Sequence, residues 1–341
     1  MSEQTLSRRE FVKVGAAGAA GAAIALKGVD LVAAPPMPER PLGRTGHNVR
    51  VFSLGGQATI EKPGTRDESV AIVNRAIDLG VTYIDTAAAY GRPRVEGKER
   101  WELDGLSQTY IGEVMATRRK EVFLASKTDD RTRDGSLRLL EQSLRLLKTD
   151  HLDLWQLHNI MRQEQLDQIF GKDGAIEALQ RARDQKMVRF LGITGHYDPQ
   201  VLMNGLERFE FDTILMALNP ADPHHLPFVG TVLAMANRKK IGVIGMKIPA
   251  RRRLFREGGI TGIRGPLTYV LSLPVSTVIV GVDDVKQLEE NVAIARDFRP
   301  MPAGEMAKLE ALTAGYVNEA AWFKKDAAGW QKPGDNDQNT D

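Results

Sequence analysis

At 341 residues the chain can bury a core of (β/α)8 size, with two smaller domains as the alternative. Its 46 basic and 44 acidic side chains leave a net charge of +2, so no global field draws it to nucleic acid or to an anionic membrane. The absence of cysteine excludes disulfides, thiolate-held zinc, cysteine-ligated iron–sulfur clusters and a cysteine nucleophile. Small-molecule chemistry remains, with any redox step carried by a bound organic cofactor or a metal held without thiolates.

The N-terminal segment reads as a targeting element and not as part of the fold. Ser7, Arg8, Arg9, Glu10, Phe11, Val12 and Lys13 precede a weakly apolar Ala/Gly-rich stretch from Val14 to Leu26, which is too short to span a bilayer. This resembles a twin-arginine export signal, a receptor-read address. The resemblance implies a signal over 1–34, export by the twin-arginine machinery to the periplasm or another extracytoplasmic space, and no stable membrane anchor. A basic, alanine-rich leader without an address is the other reading. Cleavage near Val32, Ala33 and Ala34 is expected, followed by a stiff proline linker over 35–40.

From Pro41 onward strands and helices alternate. Leu42 to Val49, with Gly43, Arg44, Thr45 and Gly46 at its centre, reads as a hairpin, and Val51 to Leu54 as a first strand closed by Gly55 and Gly56. Asp67 to Leu79 has apolar residues at helical spacing, and Gly80 stops it. The β-branched and aromatic run Val81, Tyr83, Ile84 is then a buried strand ending at Asp85. Further strands are expected at Glu121 to Lys127, His151 to His158, Val188 to Thr194, Thr213 to Leu218, Gly242 to Met246 and Thr277 to Val280. Helices are expected at Tyr110 to Met115, Ser136 to Leu147, Gly174 to Gln185, Pro199 to Arg208, Phe228 to Arg238, Pro266 to Leu273 and Val285 to Arg296. Such alternation implies parallel pairing and right-handed crossovers. An eightfold count favours a closed (β/α)8 TIM barrel in a single domain over 41–315, with a C-terminal extension over 316–341.

Three strands end in titratable groups: Asp85, Lys127 and His158. In a parallel barrel all strand C-termini open on one rim, where catalytic residues collect. Tyr90 lies five residues beyond Asp85. Singly, each has a plain structural role available: a cap, a loop packing residue, a solvated strand end, a satisfied histidine. Carbonyl reduction needs hydride at carbon and a proton at oxygen. A tyrosine, with pKa about 10, serves as that acid when a nearby cation stabilises its phenolate. Lys127 can supply the charge, Asp85 can hold the lysine protonated and aimed, and His158 can orient the carbonyl.

Asp85 and Tyr90 in GVTYIDTAAAYG, Lys127 in VFLASK, His158 in DLWQLH, RPLGRTG near the start and VGVDD with LEENV near the end resemble the aldo-keto reductase family. The resemblance spans Pro41 to Phe298. It implies a catalytic tetrad of Asp85, Tyr90, Lys127 and His158, and a nicotinamide dinucleotide, NADP(H) with NAD(H) as the alternative, laid across the rim. It further implies cofactor contacts from Gly56 and Gln57 beneath the nicotinamide, Thr194 and Asn219 at its carboxamide, Lys247 in the loop over the pyrophosphate, and Gly281, Glu290 and Asn291 at the adenosine. The chain departs from the family pattern at Gly195, where asparagine is usual, at Leu215 or Met216 in place of a glutamine, and at Asp283 and Asp284, where a base for the 2′-phosphate is usual. Lys247 and Arg251, Arg252 and Arg253 could hold that phosphate instead, or form a solvated charge run.

The function expected is an NAD(P)H-dependent oxidoreductase reducing an aldehyde, ketone or sugar-like carbonyl to an alcohol. The alternative is a non-catalytic nicotinamide-nucleotide-binding barrel that senses or scaffolds. Asp222, His224 and His225 read as a polar rim loop, with no metal site expected. Trp322 and Trp330 are placed either over the rim, shaping an apolar pocket, or as pins for the tail, and the residues after Lys332 have nothing to bury.

Overall fold

The computed structural model describes residues 35–324. The twin-arginine segment, Trp330 and the polar C-terminal end lie outside the described residues. Among those described, eight parallel strands close a barrel in chain order. They are β3 (Phe52–Gly55), β4 (Tyr83–Asp85), β5 (Phe123–Thr128), β6 (Leu152–Leu157), β7 (Val188–Gly195), β8 (Thr213–Ala217), β9 (Gly242–Met246) and β10 (Thr277–Val280), the last pairing back to β3. Seven of these are buried along their length and β7 over most of it, as strands packed on both faces must be.

The hairpin strands β1 (Glu39–Pro41) and β2 (Asn48–Arg50) pair antiparallel and close the N-terminal end of the barrel. Leu42 and Val49 join the interior cluster of Tyr83, Phe123, Leu154, Leu215, Ile244 and Ile279. Gly43 in the turn has φ +56°, and a Cβ there would stand 2.1 Å from the Gly242 amide nitrogen, so this approach requires glycine. A second, larger core lies between the strands and the surrounding helices.

Three crossover helices begin at side-chain caps. Thr132, Asp198 and Asp284 each accept from a backbone amide of α3 (Arg133–Leu146), α6 (Pro199–Arg208) and α9 (Val285–Arg296) respectively. The first crossover α1 (Arg66–Asp78) is followed by Gly80 at φ +83°, which turns the chain into β4. The helix expected from Tyr110 is the longer α2 (Leu106–Arg118), and α4 (Gln163–Phe170) is additional. The stretch from Phe228 divides into a π-helical turn, Val229–Leu233, and the short α7 (Ala234–Arg238).

Beyond α9 the chain crosses the C-terminal rim. After α10 (Ala303–Thr313) and α11 (Val317–Ala320), Trp322, Phe323 and Lys324 are all buried. Trp322 packs under two cations, with Lys247 Nζ 5.6 Å and Arg253 Cζ 4.7 Å from ring centroids. The two histidines of the Asp222 loop face this tail: His224 Nε2 bonds the Glu310 carbonyl at 2.8 Å and His225 Nε2 the Lys324 carbonyl at 3.0 Å.

Candidate active site

The parallel register places Asp85, at the end of β4, beside Lys127 of β5, because Asp85 aligns with Ala125 and side chains alternate along a strand. Both are buried, at 0% and 1% exposure of their side chains, and the Lys127 ammonium donates to Asp85 Oδ1. Lys127 also donates to the Thr86 carbonyl and to the Tyr90 hydroxyl, each at 3.0 Å. The other Asp85 oxygen accepts from Gln156 Nε2 at 3.2 Å and Tyr83 OH at 3.4 Å. Thus each carboxylate oxygen is partnered, and the ammonium points along the line from Asp85 to Tyr90.

His158 follows β6 directly, its amide donating to the Thr128 carbonyl at 2.8 Å. Its ring meets Tyr90 edge to face, with centroids 5.6 Å apart. Neither imidazole nitrogen has a hydrogen-bond partner among the described residues, although the side chain is buried. Orphaned buried polar atoms of this kind are rare and need an account. Burial, reinforced by the Lys127 charge, holds the His158 pKa well below the ordinary histidine range, so the ring is neutral. Burial also pushes the Asp85 carboxyl up, opposed by Lys127, Gln156 and Tyr83. Tyr83 is held well above the usual phenol range by burial and the adjacent Asp85, which keeps it a donor.

A cleft of about 1640 Å³ opens on this rim, lined by Asp85 and Tyr90 of the relay and also by Gly281, Glu290 and Asn291. Gly56, Gln57 and Lys247 also line it, whereas Thr194 and Asn219 do not. Thr194 is buried, its hydroxyl accepting from the Asn159 amide at 2.7 Å. The Asn219 side chain donates to the Lys247 and Ala320 carbonyls, both at 3.2 Å, and accepts from the Ala221 amide at 2.8 Å. At Gly56 a Cβ would fall 2.6 Å from Ser107 Oγ and 2.8 Å from the Asp85 carbonyl, so the protein's own packing demands this glycine. Lys247, Ala250, Arg251 and Arg252 all have φ between +47° and +69°, a run of left-handed residues after β9 that aims the basic loop at the cleft.

The sequence profile of the aldo/keto reductase family matches residues 52–250. The chain belongs to the aldo/keto reductase family. Over 327 residues it is 25% identical to an uncharacterized oxidoreductase, YqkF, of Bacillus subtilis, covering 83% of this chain and 99% of that one. It is 26% identical over 309 residues to an L-galactose dehydrogenase of Arabidopsis thaliana, covering 80% and 93%. In fold it is similar to aldo-keto reductase AKR11C1 from Bacillus halodurans, with TM-score 0.66 at 22% identity, covering 81% of this chain and 96% of that one. A Klebsiella pneumoniae aldo-keto reductase solved with NADPH is similar at TM-score 0.62 and 22% identity, covering 78% and 92%. Family membership makes the chain an NAD(P)-dependent oxidoreductase by class.

The geometry suits the dinucleotide of an aldo/keto reductase. The cleft is large, it is lined by Tyr90, whose ring meets the His158 imidazole that lacks a hydrogen-bond partner among the described residues, and Lys62, Lys247, Arg251 and Arg252 line it with cations for phosphate charge. Asp283, at the position where the family resemblance leads one to expect a base for the 2′-phosphate, is flanked by Lys62 and Arg252 nitrogens, each 3.9 Å away. Sequence reasoning missed Gln156 and Tyr83, which orient Asp85, and His196. His196 stands one place past the departure at Gly195, is buried, and bonds Asn159 Oδ1 through Nδ1 at 2.8 Å.

Proposed function

We propose that the chain is an NADP(H)-dependent reductase of small aldehydes, ketones or sugar-like carbonyls, with Tyr90 as the acid. The observation that carries this reading is the buried relay from Asp85 through Lys127 to Tyr90, with His158, whose ring has no hydrogen-bond partner among the described residues, facing the same phenol. A reduced nicotinamide dinucleotide, when bound, would supply the hydride. Tyr90 gives its hydroxyl proton to the substrate oxygen, and the Lys127 ammonium 3.0 Å away stabilises the charge left on the phenol oxygen. Asp85 keeps that ammonium protonated and pointed, and Gln156 and Tyr83 keep Asp85 from turning. The neutral His158 donates through one ring nitrogen to the carbonyl oxygen and fixes its approach. The similarity to an L-galactose dehydrogenase supports a sugar-like substrate, and the NADPH complex of the Klebsiella relative supports the phosphorylated cofactor.

We further propose that the protein is exported folded, with its nucleotide bound, on the strength of its twin-arginine segment. Reduced nicotinamide is made in the cytoplasm, so an exported reductase must hold its cofactor tightly. A second reading, a nucleotide-binding barrel without turnover, draws on Gly195 and on the Asn219 amide, which the protein's own carbonyls occupy. Protein purified from its secretory compartment is denatured and the released nucleotide identified by mass spectrometry. Stoichiometric NADP(H) is expected, together with oxidation of the reduced form when a carbonyl compound is added. An empty protein that binds neither dinucleotide refutes the reading.

A further inference from the structure

Beside the relay lies a polar pair that the proton chemistry does not use. Arg92, two residues past Tyr90, and Asp129, two past Lys127, both line the cleft with Tyr90. Arg92 Nη2 donates to Asp129 Oδ2 at 2.6 Å, and Arg100 Nη1 donates to the same oxygen at 3.1 Å and to the Asp129 carbonyl at 2.7 Å. The Arg92 side chain is 9% exposed and that of Asp129 20%. Two atoms of the pair remain: Arg92 Nη1 and Asp129 Oδ1 are buried and have no hydrogen-bond partner among the described residues. A guanidinium nitrogen can only donate and a carboxylate oxygen can only accept.

From this juxtaposition we infer that Arg92 and Asp129 form a hydroxyl-reading subsite, which selects carbonyl substrates bearing a hydroxyl on the carbon chain next to the carbonyl. A hydroxyl accepts from Nη1 and donates to Oδ1, satisfying both atoms with one group. A substrate carboxylate satisfies only Nη1 and sets like charge beside Asp129. An alkyl chain satisfies neither, and both atoms stay as unpaired as they are in the free protein. The two arginines on one carboxylate oxygen, the largely buried Arg92 and the more exposed Arg100, fix the pair in place. The short 91–105 segment thereby has a role in specificity in addition to delivering Tyr90. This inference rests on the carbonyl-reductase reading of the same site.

The test compares glyceraldehyde with propanal, which has the same carbon chain and carbonyl without the hydroxyls. With nucleotide saturating, kcat/KM is expected to favour glyceraldehyde by about ten- to a hundredfold in the wild-type protein, the usual penalty for stranding buried polar atoms. Arg92→Lys retains a cation for Asp129 and loses the second fork nitrogen. In that variant the preference is expected to fall to about threefold or less, with the thermal midpoint close to wild type. Equal kcat/KM for the two aldehydes in the wild type, or an undiminished preference in Arg92→Lys, overturns the subsite. If neither aldehyde is reduced, the reductase reading fails separately, and saturation-transfer NMR with glycerol and 1-propanol decides the subsite. Glycerol contact that is strong in wild type and lost in Arg92→Lys supports it, and equal contact from both alcohols refutes it.

Discussion

The C-terminal tail is held on the rim by one buried ion pair, and removing its lysine should be costly. Lys324 Nζ donates to Asp222 Oδ1 and to the His225 and Leu226 carbonyls at 3.3 and 2.9 Å, with both charged side chains 1% exposed. Asp222 also accepts from the Phe228 amide, at 2.9 Å to Oδ2, and from the Val229 amide at 2.9 Å. Lys324→Met keeps the apolar stem against Phe228 but strands a buried carboxylate. Breaking such a pair costs about 3–5 kcal/mol, and the two amides still facing Asp222 favour the low end. For a chain of this size that is a fall of about 6 °C in thermal midpoint. The double variant Asp222→Asn with Lys324→Met removes the stranded charge and keeps an acceptor for the amides, so it should recover about half of the loss. Circular dichroism melts at pH 7 read both. A single variant within about 1 °C of wild type, or a double variant worse than the single, refutes the claim that the pair is buried and coupled.

Two further outcomes follow from the cleft and its buried groups. His158 and His196 are both neutral in the fold because burial holds their pKa values well below the ordinary range, while in the unfolded chain they titrate near 6.5. Below that pH the unfolded state binds protons that the folded state does not. Stability should therefore fall as pH drops from about 6.5, by about 1.4 kcal/mol per pH unit for each histidine, and His196→Gln should flatten the slope in denaturant titrations. Lys62→Gln with Arg252→Gln uncovers Asp283 and should weaken NADPH binding by about tenfold while changing NADH binding by less than about twofold, measured by calorimetry. Equal losses for the two nucleotides contradict placement of the 2′-phosphate there.

Much of the frame is legible in the sequence because parallel barrel strands are short, apolar and bounded by helix caps. Gly242–Met246 and Thr277–Val280 fall at the residues expected, as do the helices Pro199–Arg208 and Val285–Arg296, whose starts are marked by Asp198 and Asp284. The bounds of the helix Leu106–Arg118 are less legible. It has no side-chain cap and buries Ser107 and Gln108, so its buried face is not an apolar stripe. Gln108 there bonds Ser126 and Ser143, both at 2.8 Å.

In the candidate site, Asp85, Tyr90, Lys127 and His158 are each marked by a place at or near a strand end. Their supporting partners are not. Gln156 is 71 residues from Asp85, His196 is 37 from Asn159 and Lys324 is 102 from Asp222. Only the barrel's register and the return of the tail bring these together, and no local pattern encodes either. The tail illustrates the point: Trp322 had two available roles in the sequence, and the fold shows it buried under Lys247 and Arg253, with Phe323 edge-on to His196 at 6.2 Å.

The central claim is that Tyr90 donates the proton and that the relay behind it makes this possible. A single-turnover measurement tests it: protein loaded with NADPH is mixed with glyceraldehyde, and absorbance loss from the reduced nicotinamide is followed for wild type and Tyr90→Phe. The account predicts a fall in the chemical rate of about 10²–10⁴, the usual contribution of a positioned acid, with NADPH affinity unchanged. A Tyr90→Phe protein that oxidises its nucleotide at the wild-type rate contradicts the account.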